Sequence, residues 1–188
     1  MNLENMNKLL GNGEQILWAS MSKPGKLMDE KNKKRNMTWF ISIGVAFALL
    51  MFFYARACIR AGTSVFTVVT LVFILMAAII FLDPVTTYSK LKKVEYAITN
   101  QRVIVCSSTA SSFSIPLSKA QPVQVIEEGD GTATLIIGTD HKAKTTKLRS
   151  LGLMGLFVDE NGKDIPHPVF YRVPDAKEAV RILESAGN

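Results

Sequence analysis

The stretch that decides the architecture is Thr38–Leu82, which reads TWFISIGVAFALLMFFYA over 38–55 and TSVFTVVTLVFILMAAIIFL over 63–82, parted by RACIRAG. The two runs hold 18 and 20 residues, and neither contains an Asp, Glu, Lys or Arg. At ~1.5 Å rise per residue such helices reach roughly 27 and 30 Å, which matches a hydrocarbon core of about 30 Å. A core helix of a soluble protein keeps a polar stripe for water. These runs are apolar all round, with isolated Ser and Thr that can bond back to their own helix. The pattern predicts two membrane-spanning helices. A secretory leader would instead open with a short charged region and ~7–15 apolar residues, whereas 37 mostly polar residues come first here.

The flanks of these runs set the orientation. Lys23, Lys26, Lys31, Lys33, Lys34 and Arg35 precede the first, Lys90, Lys92 and Lys93 follow the second, and only Arg56 and Arg60 lie between. Positive charge gathers on the cytosolic side of spanning helices, so both termini are expected to be cytosolic in a multi-pass protein of the cell membrane. Arg56–Gly62 becomes a seven-residue loop on the far side, and a loop so short makes the spans an antiparallel hairpin. Asp83-Pro84 is expected to end the second helix, because proline disfavours helical geometry in the residue before it.

The net charge of +6 is mostly a property of those flanks. Residues 1–37 carry seven basic and four acidic side chains, residues 38–82 two and none, and residues 83–188 thirteen and twelve. The part after the spans is nearly neutral and shows no basic helix or aromatic-basic alternation, so nucleic acid is set aside as a partner. Basic flanks meet anionic headgroups at about 1 kcal/mol per side chain. Cys58 and Cys106 lack metal-ligand spacing and fall on opposite sides of the expected membrane, so they do not pair.

Beyond Leu82 the periodicity changes from helical to alternating. Val94, Tyr96 and Ile98 alternate with Lys93, Glu95 and Ala97, the polar stretch Thr99–Arg102 follows, and Val103–Cys106 returns, which reads as a β-hairpin. Period two continues in Phe113, Ile115 and Leu117 and in Val123 and Val125. Glu128-Gly129-Asp130-Gly131 marks a second hairpin, its glycines supplying positive φ before the strand Ala133–Ile137. Val169–Val173 reads as a last strand. Pro174 breaks it, and Asp175 with Glu178 forms a capping-box pattern for a helix that sets Ala176, Ala179, Val180 and Leu183 on one face and stops at Gly187. The expected fold is α+β: a cytosolic N-terminal segment (1–37), a two-helix transmembrane hairpin (38–82), and a mainly antiparallel β domain closed by a C-terminal helix (83–188). Residues 14–19, with Ile16 and Trp18 on one face, are a candidate extra edge strand for that sheet.

A run of antiparallel strands with a closing helix in about 100 residues resembles the pleckstrin-homology fold. The string Val94-Glu95-Tyr96-Ala97-Ile98-Thr99-Asn100-Gln101-Arg102-Val103-Ile104-Val105 resembles the aromatic, aliphatic, Thr-Asn-x-Arg, aliphatic signature of bacterial PH-like membrane proteins. Leu10–Trp18, LGNGEQILW, is similar to the opening that precedes the spans in those proteins. The resemblance implies a PH-like domain beside the membrane. Residues 139–168 are long for a connection in such a domain. The Thr-Asn-Gln-Arg turn also has a local reading: Asn100 tolerates the left-handed region, Thr99 bonds nearby backbone, and Arg102 reaches a carboxylate, a carbonyl or a ligand.

No reactive constellation stands out. His141 and His167 are the only histidines and belong to no paired motif, and no phosphate loop, nucleophile elbow or carboxylate pair appears, so neither catalysis nor a cofactor is expected. Glu127, Glu128 and Asp130 read as a solvated turn. The segment from Lys142 to Phe157 is the candidate contact site. In one reading Lys142, Lys144, Lys147 and Arg149 meet an anionic lipid headgroup or a protein partner while Leu153, Met154, Leu156 and Phe157 insert at the interface. In the other, the lysines are the wet face of a strand and the apolar residues pack beneath it. The functional expectation is a non-catalytic, membrane-anchored PH-like binding or scaffolding module at the cytosolic face. Its alternatives are a structural subunit of a membrane complex, with Gly44 and Ala48 at small-x-x-x-small spacing, and a lipid-headgroup sensor. Transport is disfavoured by the lack of intramembrane charge.

Overall fold

The computed structural model describes residues 4–25, 30–108, 111–140, 142–144, 146–148, 157–159 and 161–186. The chain forms two compact units. One combines Met1–Gly25 with Thr87–Asn188, and the other is Lys26–Thr86. The fold is α+β, and the helical unit is inserted into the β domain instead of preceding it.

The inserted unit comprises α2 (Glu30–Arg60) and most of α3 (Val68–Leu91), the label α1 belonging to a short turn, Glu4–Asn7. Both long helices are apolar enough to cross a membrane, with mean hydropathies of 2.0 and 2.6. None of the most apolar window of α2 and only 6% of that of α3 is buried, which is unlike a core helix of a soluble protein. They touch through Phe40 on Phe81 (4.6 Å between ring centroids) and Tyr54 edge-on to Phe73 (5.7 Å). The Tyr54 hydroxyl also lies 2.6 Å from Thr67 Oγ1.

The helix ends differ from expectation in two places. α2 continues through Arg56–Arg60, so the connection is residues 61–67 and not Arg56–Gly62. Arg and Ala are good helix formers, and nothing in RACIR breaks the ladder. α3 runs through Pro84 to Leu91. A proline inside a helix removes one donor, whereas stopping there would expose Thr87 and Leu91, which the continued helix buries to 8% and 7% exposure.

In the β domain, β1 (Ile16–Met21), β2 (Glu95–Thr99), β3 (Arg102–Ser108) and β4 (Ser111–Pro116) form one antiparallel sheet in that order. A second sheet has the order β10-β6-β5, from Val169–Val173, Ala133–Ile137 and Val123–Glu127. Between β6 and β10 lies a ribbon of two-residue strands: β7 (Lys147–Leu148), β8 (Phe157–Val158) and β9 (Asp164–Ile165). The expected single meander is thus two sheets and a separate ribbon. The break falls after β4, where Leu117–Lys119 forms a 3₁₀ turn instead of extending the strand. Gly138 holds that corner, since a Cβ there would lie 2.5 Å from the Lys119 carbonyl oxygen.

The core lies between the two sheets. Trp18 stacks on Phe170 (5.6 Å, 11°), Tyr96 leans on Phe170 (4.8 Å), and Phe157 stacks on Tyr171 (5.2 Å). Helix α4 (Ala176–Ala186) closes the domain and buries Ala176, Ala179 and Leu183. Its start is not a capping box: Asp175 takes φ 54° and receives the Glu178 N–H on its main-chain carbonyl at 3.0 Å. The expected stop, Gly187, lies outside the described residues.

β1 pairs with β2 through Ile16↔Thr99, Trp18↔Ile98 and Ala19↔Ala97, with a bulge between Ile16 and Trp18. The bulge corrects the expected face assignment, because one extra residue reverses which side of the sheet each side chain takes. Trp18 enters the main core, whereas Ile16 and Ala19 pack on the opposite face with Met6, Leu9, Ala97, Ile104 and Cys106. Leu17, the bulged residue, is 48% exposed. The N-terminal turn thereby covers the outer face of the four-stranded sheet, and this is why β2 is buried along its whole length despite its alternation.

Candidate functional site

The most developed polar site joins the chain before the hairpin to the chain after it. Glu14 is 8% exposed. Its carboxylate accepts the Arg102 Nε–H at 2.9 Å on Oε1 and an Arg102 Nη2–H at 2.9 Å on Oε2, a bidentate fork. It also accepts the Gly11 N–H (2.8 Å) and lies 2.8 Å from the Thr99 hydroxyl. The Arg102 fork, with the amide and hydroxyl donors, holds the Glu14 carboxyl at about 2, against 4.5 for an ordinary glutamate, although burial opposes the shift. Hydrogen bonding to Glu14 raises the Arg102 guanidinium in turn. Arg102 Nη2 donates further to the Leu9 carbonyl at 2.8 Å.

Thr99 and Asn100 complete this clasp. The Thr99 hydroxyl accepts the Arg102 N–H at 2.9 Å, closing the β2–β3 turn. Asn100 Oδ1 accepts the Gln15 N–H (3.0 Å), its Nδ2 donates to the Gly13 carbonyl (3.3 Å), and its own N–H reaches the Gln15 carbonyl (3.0 Å). Asn100 does not use the left-handed region that it tolerates; among the described residues, the non-glycine positions with positive φ are Arg172 and Asp175. Arg102 therefore sits inside the domain's own network. Glu14 was not singled out by the sequence reading, and its signal was its place in the opening string that the resemblance quoted.

The structure separates the residues of the basic candidate site. Lys142 and Lys144 are exposed on either side of buried Ala143. Ala143 donates its N–H to Gln124 Oε1 (3.1 Å), and its carbonyl accepts from Gln124 Nε2. Lys147 belongs to β7, paired with Val158. Arg149, Leu153, Met154 and Leu156 lie outside the described residues. Phe157 does not belong to an inserting surface: it is 2% exposed, in the core against Tyr171. An aromatic at the first position of β8 faces inward because the ribbon lies on the main core.

The acidic turn is more tied down than expected. Asp130 Oδ1 accepts from Thr132 (hydroxyl 2.5 Å, amide 3.2 Å), and Oδ2 pairs with Arg172. The Thr132 hydroxyl first, then Arg172, holds the Asp130 carboxyl at about 2, below its usual 3.8. Glu128 accepts from the buried Thr134 hydroxyl at 3.0 Å. Arg172 was missed by the sequence reading. It is 5% exposed and takes φ 48° at the register shift between Phe170 and Val173; the signal was a lone charge within VFYRV. Among the described residues, no group of three or more His, Cys, Asp or Glu side chains could hold a metal ion. Comparison of the chain with protein-family models, curated proteins and solved structures found no match.

Proposed function

We propose that this chain is a membrane-anchored, non-catalytic binding or scaffolding module of PH-like build, held at the cytosolic membrane face by a two-helix hairpin inserted into the domain. The observation that carries this reading is the pairing of β1, before the hairpin, with β2, after it. Two strands of one sheet lie on one side of a membrane, so a hairpin between them crosses an even number of times. This agrees with the nine flanking positive charges against two, Arg56 and Arg60, between the apolar runs. The PH-like reading is supported by antiparallel strands closed by a helix, and by contact between the two strings on which the resemblance rested: Glu14 and Gln15 of the first meet Thr99, Asn100 and Arg102 of the second. Tethering would raise the domain's effective concentration for partners at the surface.

The orientation is tested by labelling with a membrane-impermeant maleimide in a Cys58→Ser/Cys106→Ala background. Ala61→Cys should label in intact cells, and Asn12→Cys and Lys119→Cys only after permeabilisation. Labelling of position 12 or 119 in intact cells overturns the topology. The binding role is tested by mass spectrometry of proteins and lipids co-purified with the full-length chain in mild detergent, with a stoichiometric protein partner expected. A lipid-contact reading is favoured by one observation, the exposure of Lys142 and Lys144 around buried Ala143. Anionic lipid lost on changing Lys142, Lys144, Lys147 and Arg149 to Ser would support it.

A further inference from the structure

A groove of about 780 Å³ opens between the β5–β6 hairpin and the first turns of α4. Val125, Ala133, Ala176 and Val180 give it an apolar floor, and Glu127 and Glu178 stand on its rim. One wall is a sheet edge, for among the described residues β5 pairs with β6 alone. The Glu128 N–H bonds the Thr132 carbonyl at 3.0 Å, and this sets the phase of the ladder. In antiparallel pairing, alternate residues turn their main-chain groups away from the partner strand; here those are Val125 and Glu127, and both line the groove. Ile126 between them packs against the core.

Two further facts select the occupant. At Gln124 the same strand is already met by another part of this chain, with the Gln124 side-chain amide bonded to both the N–H and carbonyl of Ala143. Val125, the next residue of the strand, is 45% exposed. The charged lining residues are Glu127, Asp175 and Glu178 against Lys177, with a loose, solvent-exposed Arg181 pair at 3.9 Å on Glu178; Asp130 is paired with Arg172. An acidic rim repels an anionic headgroup and attracts a basic chain.

We propose that this groove binds an extended, basic segment of a partner protein, which adds to β5 as a strand at Val125–Glu127 and sets Lys or Arg side chains against Glu127 and Glu178. Main-chain bonds supply the affinity and the carboxylates the selectivity. The proposal rests on the binding-module reading and specifies its partner.

The test uses the full-length protein in detergent micelles and a fluorescein-labelled peptide of alternating Lys and Val, read by anisotropy. Glu127→Lys/Glu178→Lys should weaken binding by about tenfold or more, since repulsion replaces attraction at both carboxylates. Val125→Pro should do the same by removing an outward N–H that the β6 ladder does not use, a substitution edge strands accommodate. Unchanged melting curves establish that both variants fold. Equal affinity for wild type and the double variant overturns the proposal, as does equal affinity for a Glu/Val peptide. In the co-purification, a partner retained by the double variant overturns the groove and leaves the scaffold reading standing. A wild type that captures no protein removes both.

Discussion

Arg102 owes its importance to where it leaves Glu14. The carboxylate is 8% exposed and takes charge-assisted donors from the guanidinium, so removing Arg102 strands a charge in a place already closed to water. Arg102→Ala is expected to cost about 2–4 kcal/mol, read as a fall in thermal midpoint of the full-length protein and faster amide exchange over residues 9–15. Glu14→Gln, which keeps shape and loses charge, should cost less. A loss no greater than that of an exposed lysine such as Lys119→Ala would remove the clasp from the account of stability. The depressed carboxyls also set an acid limit. Glu14 sits at about 2, against an ordinary 4.5, and Asp130 at about 2, against 3.8. Groups with lowered folded pKa contribute their full stability above the unfolded value, and that contribution is lost as pH falls through the folded one. Stability should therefore be flat from neutrality to about pH 5 and fall steeply from about 4.5 towards 2. For Glu14 the span corresponds to about 3 kcal/mol, so the Glu14→Gln protein should show a shallower acid limb in Trp18 fluorescence, recorded with Trp39→Phe.

At the level of elements, β1 acts through its bulge. An extra residue at Leu17 lets Trp18 enter the core while Ile16 and Ala19 face the N-terminal turn. Trp18→Ala should cost about 3–5 kcal/mol by opening a cavity beside Phe170, whereas Leu17→Ser should be within about 0.5 kcal/mol of wild type. Deleting Leu17 should be as damaging as Trp18→Ala, because the register shift moves either Trp18 off the core or Glu14 off Arg102. Denaturant titrations of the three variants check the order, and a tolerated deletion would show that the bulge sets nothing. The closing helix was legible in outline, since Ala176, Ala179 and Leu183 recur at helical spacing and are buried. Its cap was not, because the left-handed Asp175 answers to the join with β10, which no local pattern encodes.

For the whole molecule, the consequence of insertion is that the β domain is discontinuous. On the proposed topology it cannot close until chain on both sides of the hairpin is present on one side of the membrane. Replacing residues 26–86 with a flexible Gly-Ser linker should yield a folded, water-soluble domain, because Ser22 N bonds the Val94 carbonyl at 3.2 Å and the strand ends are already adjacent. On the same topology, deleting only 63–82 would leave one span and place β1 and β2 on opposite sides, and should leave residues 87–188 protease-sensitive. Equal protease resistance in the two deletions would show that β1 is dispensable and would remove the main support for the even-pass topology.

Local chemistry alone determined the two apolar helices, the alternation of β2, β4 and β5, the apolar runs of β3 and β6, the glycine turn at 129–131 and the apolar face of α4, since each is a pattern within fewer than about 25 consecutive residues. The tertiary structure decided what depends on distant partners. Pro84 stays helical because Thr87 and Leu91 are buried beyond it, and Phe157 faces inward because Tyr171 waits there. Glu14 matters because Arg102, 88 positions away in sequence, closes over it. The two strings that carried the resemblance were visible as separate motifs. That they form one site followed only from the fold, because a contact across an inserted hairpin leaves no periodicity in the chain.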